Sequence, residues 1–572
     1  MSSSRAQTTT DDPHGAPETD HPRLRDHAAE LAHLSSVRQS LMRRARRSLP
    51  IAFLNYILQS VASYLRTLFL SPSTIFFDPL STIASIVIYP VIFLFLFLAV
   101  VFLWIASLLG LGRVMRAISN KWANGYSIIN WPNPDLFSSQ AAFKTVQSAR
   151  ATLAGCATTF PDAPAPGATN VDLEPGLTTR IFDLDVAKTF LMMSALVYER
   201  RDGDVVAASD IFVQDKEAAE VLLLRSEQVI RDQAAHWNLR YEGISDLAST
   251  SGPFASIFYS QEGDPNPFIV LCFKGTTPTN FAEFLVDATI SRVSSAVFFG
   301  DGTAHQGFYT DLFPTTEGGA DGYGQITRSL RHVASEMTKG SKTHKAVPLW
   351  VTGHSLGSAL ASLIYARYLR MPSDLGDKIQ LRDCYTYGTP RLGDGTFVSK
   401  YEESTCTPLD RPNIFWRIIN HWDIVCQIPP GLADNELNRA GLSALSVLNY
   451  GHIGASLRLN PWTHPFYTVQ ASSFHSATRV VVVKEGVQGP RSGSRWNSIS
   501  GETGNPLRWI LMLLPTPVWN HFPASYYTHL DEIHVDGQGG EARLHERKTG
   551  AARKINPSLK AEKEKVAPTK DA

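Results

Sequence analysis

The chain has 572 residues, with 53 Lys and Arg balanced by 53 Asp and Glu for a formal net charge of zero. Without a basic excess, the usual argument for nucleic-acid binding is missing. An apolar content of 44% is enough for a large core, and five scattered cysteines (Cys156, Cys272, Cys384, Cys406, Cys426) make neither a disulfide framework nor a zinc cluster.

Residues 1–48 read as a disordered tail, rich in Ser, Thr, Asp and Pro over 1–22, that ends in a basic cluster, Arg43, Arg44, Arg46 and Arg47. Residues 49–112 read as membrane-associated. Ile51 to Leu70 is apolar but interrupted by Asn55, Gln59 and Arg66. Thr82 to Gly110 is a run of 29 residues without a charge, where about 20 suffice to cross a bilayer. Pro90 marks either a kink in one span or the bend of a hairpin. Basic residues flank both ends, with Arg113, Arg116 and Lys121 following the run. The positive-inside rule therefore favours two passes or a hairpin, with the remainder of the chain in the cytosol. The lack of a usable glycosylation sequon, since Pro557 blocks Asn556, points the same way.

Residues 113–182 read as a linker, rich in Pro, Ala, Thr and Gly over 130–180. The pattern from 183 to 536 is globular. DLDVAKTFLMMSALVYER has helical spacing. ASIFYSQ and PFIVLCFKG read as two strands joined by the turn Glu262-Gly263-Asp264-Pro265. HKAVPLWVTG is a strand, SLGSALASLIYARYLR a helix, and IQLRDCYTYGTP and NIFWRIINHWDIV are further strands with a helix between them. Alternating strands and helices imply an α/β fold, a mostly parallel sheet with helices on both faces. Residues 537–572 read as a polar tail.

Between one strand and the next helix stands Gly353-His354-Ser355-Leu356-Gly357. A serine on a sharp strand-to-helix turn is presented as a nucleophile, and Gly353 and Gly357 remove the side chains that would collide in such a turn. The helix N-terminus turns free N–H groups and a positive dipole end toward the serine oxygen. Asp423, in the segment after a strand, sits where open α/β sheets face their ligands. A base is required, and His452, His464, His475, His521, His529, His534 and His545 all follow Asp423. Periodicity does not choose among them.

The motifs FKGTTPTNFAEFLVDA, HQGF, VTGHSLGSALASL, YTYGTPRLGD and RIINHWDIVCQIPP, in this order, resemble the class 3 lipases, the fungal triacylglycerol lipase group that includes diacylglycerol lipases. The resemblance runs from about Asp183 to Leu530. It implies an α/β-hydrolase fold and hydrolysis of glycerolipid acyl esters, with no metal or organic cofactor. It further implies Ser355 as nucleophile, Asp423 as acid and Thr276 with the Leu356 amide as oxyanion donors. His521, in WNHFPASYYTHL, fits the histidine best, with His452 of YGHIGAS as runner-up. It also implies a lid over 277–302, with Phe281, Phe284, Leu285, Phe298 and Phe299 as its apolar face. The expected partner is a lipid at a membrane or droplet surface. Alternatives on the same triad are a phospholipase or carboxylesterase. A further alternative is a catalytically inactive lipid-binding tether.

Overall fold

The computed structural model describes residues 135–155, 178–245, 254–275, 292–313, 321–339, 345–406, most of 414–460, 467–470, 478–483, 515–531 and 541–543, with isolated residues between 105 and 121 and Ile533. The strands are β1 Thr178–Asp183, β2 Leu239–Ser245, β3 Phe254–Ser260, β4 Ile269–Lys274, β5 Arg292–Ser294, β6 Thr303–His305, β7 Val347–His354, β8 Ile379–Tyr387, β9 Phe415–Asn420, β10 Ala455–Leu459, β11 Tyr467–Gln470, β12 Thr478–Val483 and β13 Glu541–Arg543. The helices that matter here are α1 Gln140–Ala154, α2 Leu184–Leu196, α3 Lys216–His236, α4 Gly322–Thr338, α5 Leu356–Arg370, α6 Gly395–Cys406 and α7 Pro523–Asp531.

Eight strands form the central sheet in the order β11-β10-β9-β8-β7-β4-β3-β2. Its middle, β10-β9-β8-β7-β4, is parallel throughout. The edges are antiparallel, with β3 and β2 on one side and β11 on the other. The mostly parallel sheet expected from alternating strands and helices is therefore present, and the β3–β4 pair is the hairpin expected around the Glu262–Pro265 turn.

The strand side chains alternate between two cores, as a period of two requires. Phe254, Phe258, Val270, Cys272, Trp350, Tyr385 and Trp416 face α1 and α2. Ala255, Ile257, Ile269, Leu271, Phe273, Leu349 and Val351 face α4 and α5. β4 and β7 are buried along their whole length, which is why they read as unbroken apolar runs. Every residue of α2 is buried. Its N-cap Asp183 accepts from the Asp185 and Val186 amides.

Two expectations are corrected. The stretch 113–182 is not simply a linker, because it contains α1. Ser139 caps that helix through the Ala142 amide. Its Ala142, Val146, Ala149 and Leu153, at helical spacing, are buried in the α2-side core with Phe137. The Pro- and Gly-rich composition of the neighbouring residues concealed this stripe. The tail 537–572 contributes β13, which pairs antiparallel with β12, itself parallel to β1, in a separate three-stranded sheet. Among the described residues no helix is long and apolar enough to cross a membrane. The segments 51–70 and 82–110 expected to do so lie outside the described residues, apart from Ile105 and Gly110.

Candidate active site

β7 ends at His354 and α5 begins at Leu356, so Ser355 is the hinge of a strand–turn–helix unit. Its backbone is at φ 58° and ψ −130°, a conformation an L-residue adopts only under constraint from its surroundings. The constraint is visible. The Ser355 amide donates to the Tyr387 carbonyl of β8 at 2.9 Å, and its own carbonyl accepts from the Ser358 amide at 2.9 Å. A Cβ on Gly353 would lie 2.3 Å from the Gly357 carbonyl oxygen, and one on Gly357 would lie 2.3 Å from that of Phe273 in β4. The two glycines are required because backbone occupies the space on both sides of the serine. Leu356 is the first residue of α5, so its N–H has no intrahelical acceptor by position.

Asp423 lies three residues beyond the end of β9 and is fully buried. His521 lies in the turn between the short helix Thr516–Trp519 and α7. Asn420, the last residue of β9, joins these parts. Its side-chain amide donates to the Asn520 carbonyl at 2.9 Å and to Ser525 Oγ at 3.0 Å. The segment carrying His521 is thus pinned to the strand that carries Asp423.

The result is a continuous chain of hydrogen bonds. His521 Nδ1 is 3.0 Å from both Asp423 carboxylate oxygens, and His521 Nε2 is 2.8 Å from Ser355 Oγ. Burial acts to raise the Asp423 pKa, but the nearby His521 and the hydrogen bonds from His521, Tyr526 and the Val425 amide outweigh it and hold the carboxyl below its usual range. Asp423 is therefore an ionised acceptor. That places the His521 proton on Nδ1 and leaves Nε2 free to accept from the serine hydroxyl.

The structure brings Ser355, Asp423 and His521 together with Gly353, Gly357 and Leu356. Thr276, Phe281, Phe284 and Leu285 lie outside the described residues, as do His464, His475, His534 and His545. His452 is engaged elsewhere: its Nδ1 is 2.9 Å from Asp434 Oδ1, and Asp434 also accepts from Arg391 at 3.1 Å. Burial pushes His452 down to about 4. His529 donates to Asn420 Oδ1 at 2.5 Å.

Phe298 and Phe299 do not form the free apolar face expected of a lid. Phe298 stacks on Phe313 at 4.4 Å between ring centroids and Phe299 packs on Phe397 at 5.1 Å. These aromatic partners hold them against the α5-side core, so their hydrophobicity is already used.

Three contacts were not foreseen. The Tyr526 hydroxyl donates to Asp423 Oδ2 at 2.6 Å. Gly388, at φ 63°, lies where a Cβ would come within 2.8 Å of the His521 ring and 2.9 Å of Asp423 Oδ2. His354 Nε2 is 2.7 Å from the His521 carbonyl oxygen. Gly388 and His354 do lie inside recognisable motifs, YTYGTPRLGD and VTGHSLGSALASL. Tyr526 carried no local signal beyond the aromatic cluster after His521.

Residues 270–432 match the class 3 lipase family. The chain is similar to triacylglycerol lipase OBL1 of Ricinus communis, at 25% identity over 37% of this chain and 45% of that protein. It is also similar to the chloroplastic phospholipase A1-Igamma1 of Arabidopsis thaliana, at 30% identity over 28% of this chain and 31% of that protein. The chain thus spans less than half the length of either relative. Among solved structures, lipase II from Rhizopus niveus aligns over 50% of this chain and 85% of that one, at 18% identity and a TM-score of 0.30.

Proposed function

We propose that this protein is a class 3 lipase-type serine hydrolase that cleaves fatty acyl esters of glycerolipids. The observation that carries the reading is the unbroken Ser355–His521–Asp423 hydrogen-bond chain on a strained strand-to-helix turn. The match of residues 270–432 to class 3 lipases and the similarity to a triacylglycerol lipase support the ester class.

In this mechanism His521 Nε2 removes the Ser355 proton as Oγ attacks the ester carbonyl carbon. Asp423 holds the imidazole in the required tautomer and stabilises its charged form. The tetrahedral oxyanion is received by the Leu356 amide at the start of α5 and by Thr276, each donor worth about 3 kcal/mol in such sites. His521 then gives its proton to the departing alcohol oxygen. Water, deprotonated by the same imidazole, attacks the acyl-enzyme and releases the fatty acid with Ser355 restored.

In the same proposal, segments 51–70 and 82–110 hold the protein in an intracellular membrane with the hydrolase part facing the cytosol. An anchor of this kind keeps the site at an interface where insoluble acyl esters are concentrated.

A fluorophosphonate probe tests the core of the reading. The full-length chain is expected to be labelled and Ser355→Ala is not. Hydrolysis of trioleoylglycerol, dioleoylglycerol and phosphatidylcholine, presented separately, then identifies the head group. Absence of both labelling and turnover in detergent micelles would overturn the enzyme reading in favour of a lipid-binding tether.

A further inference from the structure

The triad leaves unused a second line of polar groups directly behind it. Tyr198 closes the helical segment that begins with α2, in the turn Val197–Glu199. The backbone N–H of Gly275, the residue just past β4, donates to the Tyr198 hydroxyl. The approach is so close that a Cβ on Gly275 would lie 2.4 Å from that oxygen. The hydroxyl in turn lies 3.2 Å from His354 Nδ1 and 3.3 Å from the His354 carbonyl. His354 Nε2 lies 2.7 Å from the His521 carbonyl oxygen.

The donor directions follow from chemistry. A carbonyl only accepts, so His354 Nε2 carries the proton. His354 is buried, and burial, with the neighbouring His521, pushes its pKa down to about 3. The ring is therefore neutral and its Nδ1 is bare. A bare Nδ1 accepts, so the Tyr198 hydroxyl is the donor. Burial raises the Tyr198 pKa, so this proton is retained. The direction along the line is thus fixed: Gly275 N–H to Tyr198, Tyr198 O–H to His354, whose Nδ1 and carbonyl are both within reach, and His354 N–H to the His521 main chain.

We propose that Tyr198 and His354 are positioning residues, a directed hydrogen-bond chain that fixes the His521 backbone, and the backbone beside Thr276, relative to Ser355. The inference rests on the hydrolase reading above. Its physical basis is that His354 is covalently next to Ser355, so its bond to His521 ties the base to the nucleophile's own turn. The two imidazole rings lie 4.7 Å apart between centroids. A neutral His354 holds His521 without placing a second positive charge beside the imidazolium that forms in the reaction. The ring nitrogens of a histidine meet both requirements at this place. Phenylalanine retains the shape and lacks both bonds, whereas the amide of glutamine supplies a donor and an acceptor.

The test uses the full-length chain and a soluble ester, p-nitrophenyl butyrate. Active sites are titrated with the fluorophosphonate probe, so that loss of folded protein is separated from loss of rate per site. The expected result for His354→Phe is a fall in kcat per titrated site of about 100-fold, with KM within about threefold, as misplacement of a catalytic group produces. His354→Gln recovers at least about tenfold of that loss. Tyr198→Phe, which deletes one hydroxyl and serves if His354→Phe does not fold, loses about tenfold in kcat with KM unchanged. Rates per titrated site within about twofold of wild type in Tyr198→Phe and in any folded His354→Phe overturn the proposal, whatever the melting temperatures, as does a glutamine variant no better than the phenylalanine one. Variants that match an active wild type overturn this inference alone. A wild type that takes no label and turns over no ester overturns the hydrolase reading, and this inference falls with it.

Discussion

The Tyr526 hydroxyl donates to Asp423 Oδ2 at 2.6 Å across 103 residues of chain. Both groups are fully buried, and the carboxylate also accepts hydrogen bonds from His521 Nδ1 and the Val425 amide. Hydrogen bonds to a charged group contribute about 1.5–3 kcal/mol. Tyr526→Phe is expected to weaken the hold on Asp423 and lower kcat/KM on p-nitrophenyl butyrate by about tenfold, with Ser355 still labelled by a fluorophosphonate. Unchanged kinetics would show that Tyr526 only fills space.

Asp423→Asn tests the tautomer argument. An asparagine presenting its amide to His521 Nδ1 favours a proton on Nε2, the atom that must accept from Ser355. The expected loss is about 10³–10⁴-fold in kcat with little change in KM. A loss below about tenfold would remove Asp423 from its assigned role.

Gly388 faces the same two side chains from behind. An added Cβ would come 2.8 Å from the His521 ring and 2.9 Å from Asp423 Oδ2, at a φ of 63° that L-residues disfavour. Gly388→Ala is expected to lower kcat about 100-fold and to lower the melting temperature, because His521 and Asp423 have no room to retreat. Retained kcat would mean that the loop relaxes without moving the triad.

His452, the alternative base, gives the opposite expectation. It is bound to Asp434 and flanked by Arg391 and Arg417. His452→Ala is expected to destabilise by about 1 kcal/mol, because it removes a buried ring and its hydrogen bond to Asp434, which keeps Arg391 and the residue-452 amide as partners. Turnover per titrated active site should remain within about threefold of wild type. Abolished turnover in folded protein would move the base from His521 to His452.

Stability should fall with acid. His354 is pushed down to about 3 and His452 and His529 to about 4, all chiefly by burial. Below pH 6.5 the unfolded chain takes up these protons while the folded chain does not, so stability drops as pH falls from 6.5 toward 4. Asp185, raised to about 6 by burial, and Asp183, raised for the same reason, act in the opposite sense, because the folded chain keeps protons that the unfolded chain releases. His421, lowered by burial and by Arg458, joins the histidines, so the groups that take up protons on unfolding outnumber the two carboxyls and the net effect of acid is loss of stability. Below pH 3.8 the depressed Asp423 and Asp434 carboxyls add to the loss. Urea unfolding at pH 7 and pH 5 measures this, and equal midpoints would contradict it.

Much of the architecture was local information. β7 and β4 are apolar because both faces are covered, and a glycine–serine–glycine turn followed by small residues marks the start of α5. These features put Ser355 on its strained turn. The stripe of α1 was equally present in the sequence, but Pro and Gly in the surrounding residues dominated the reading of that stretch. β13 has only three residues and draws its partner from β12, so no pattern of its own announced it.

The assembly of the site was different in kind. His521 and Ser355 are separated by 166 residues and His521 and Asp423 by 98. No periodicity carries information across such intervals, and seven histidines followed Asp423. The sequence by itself determined a strand-to-helix nucleophile and a carboxylate beyond a strand. Spacing left seven histidines open and only the family resemblance preferred His521; the tertiary structure places His521 between them, with Tyr526, Gly388 and His354 around it. The physical reason is that parallel strands β7, β8 and β9 bring their C-terminal ends side by side. Asn420 at one of those ends then binds the loop that carries His521, a contact set by packing and invisible to spacing.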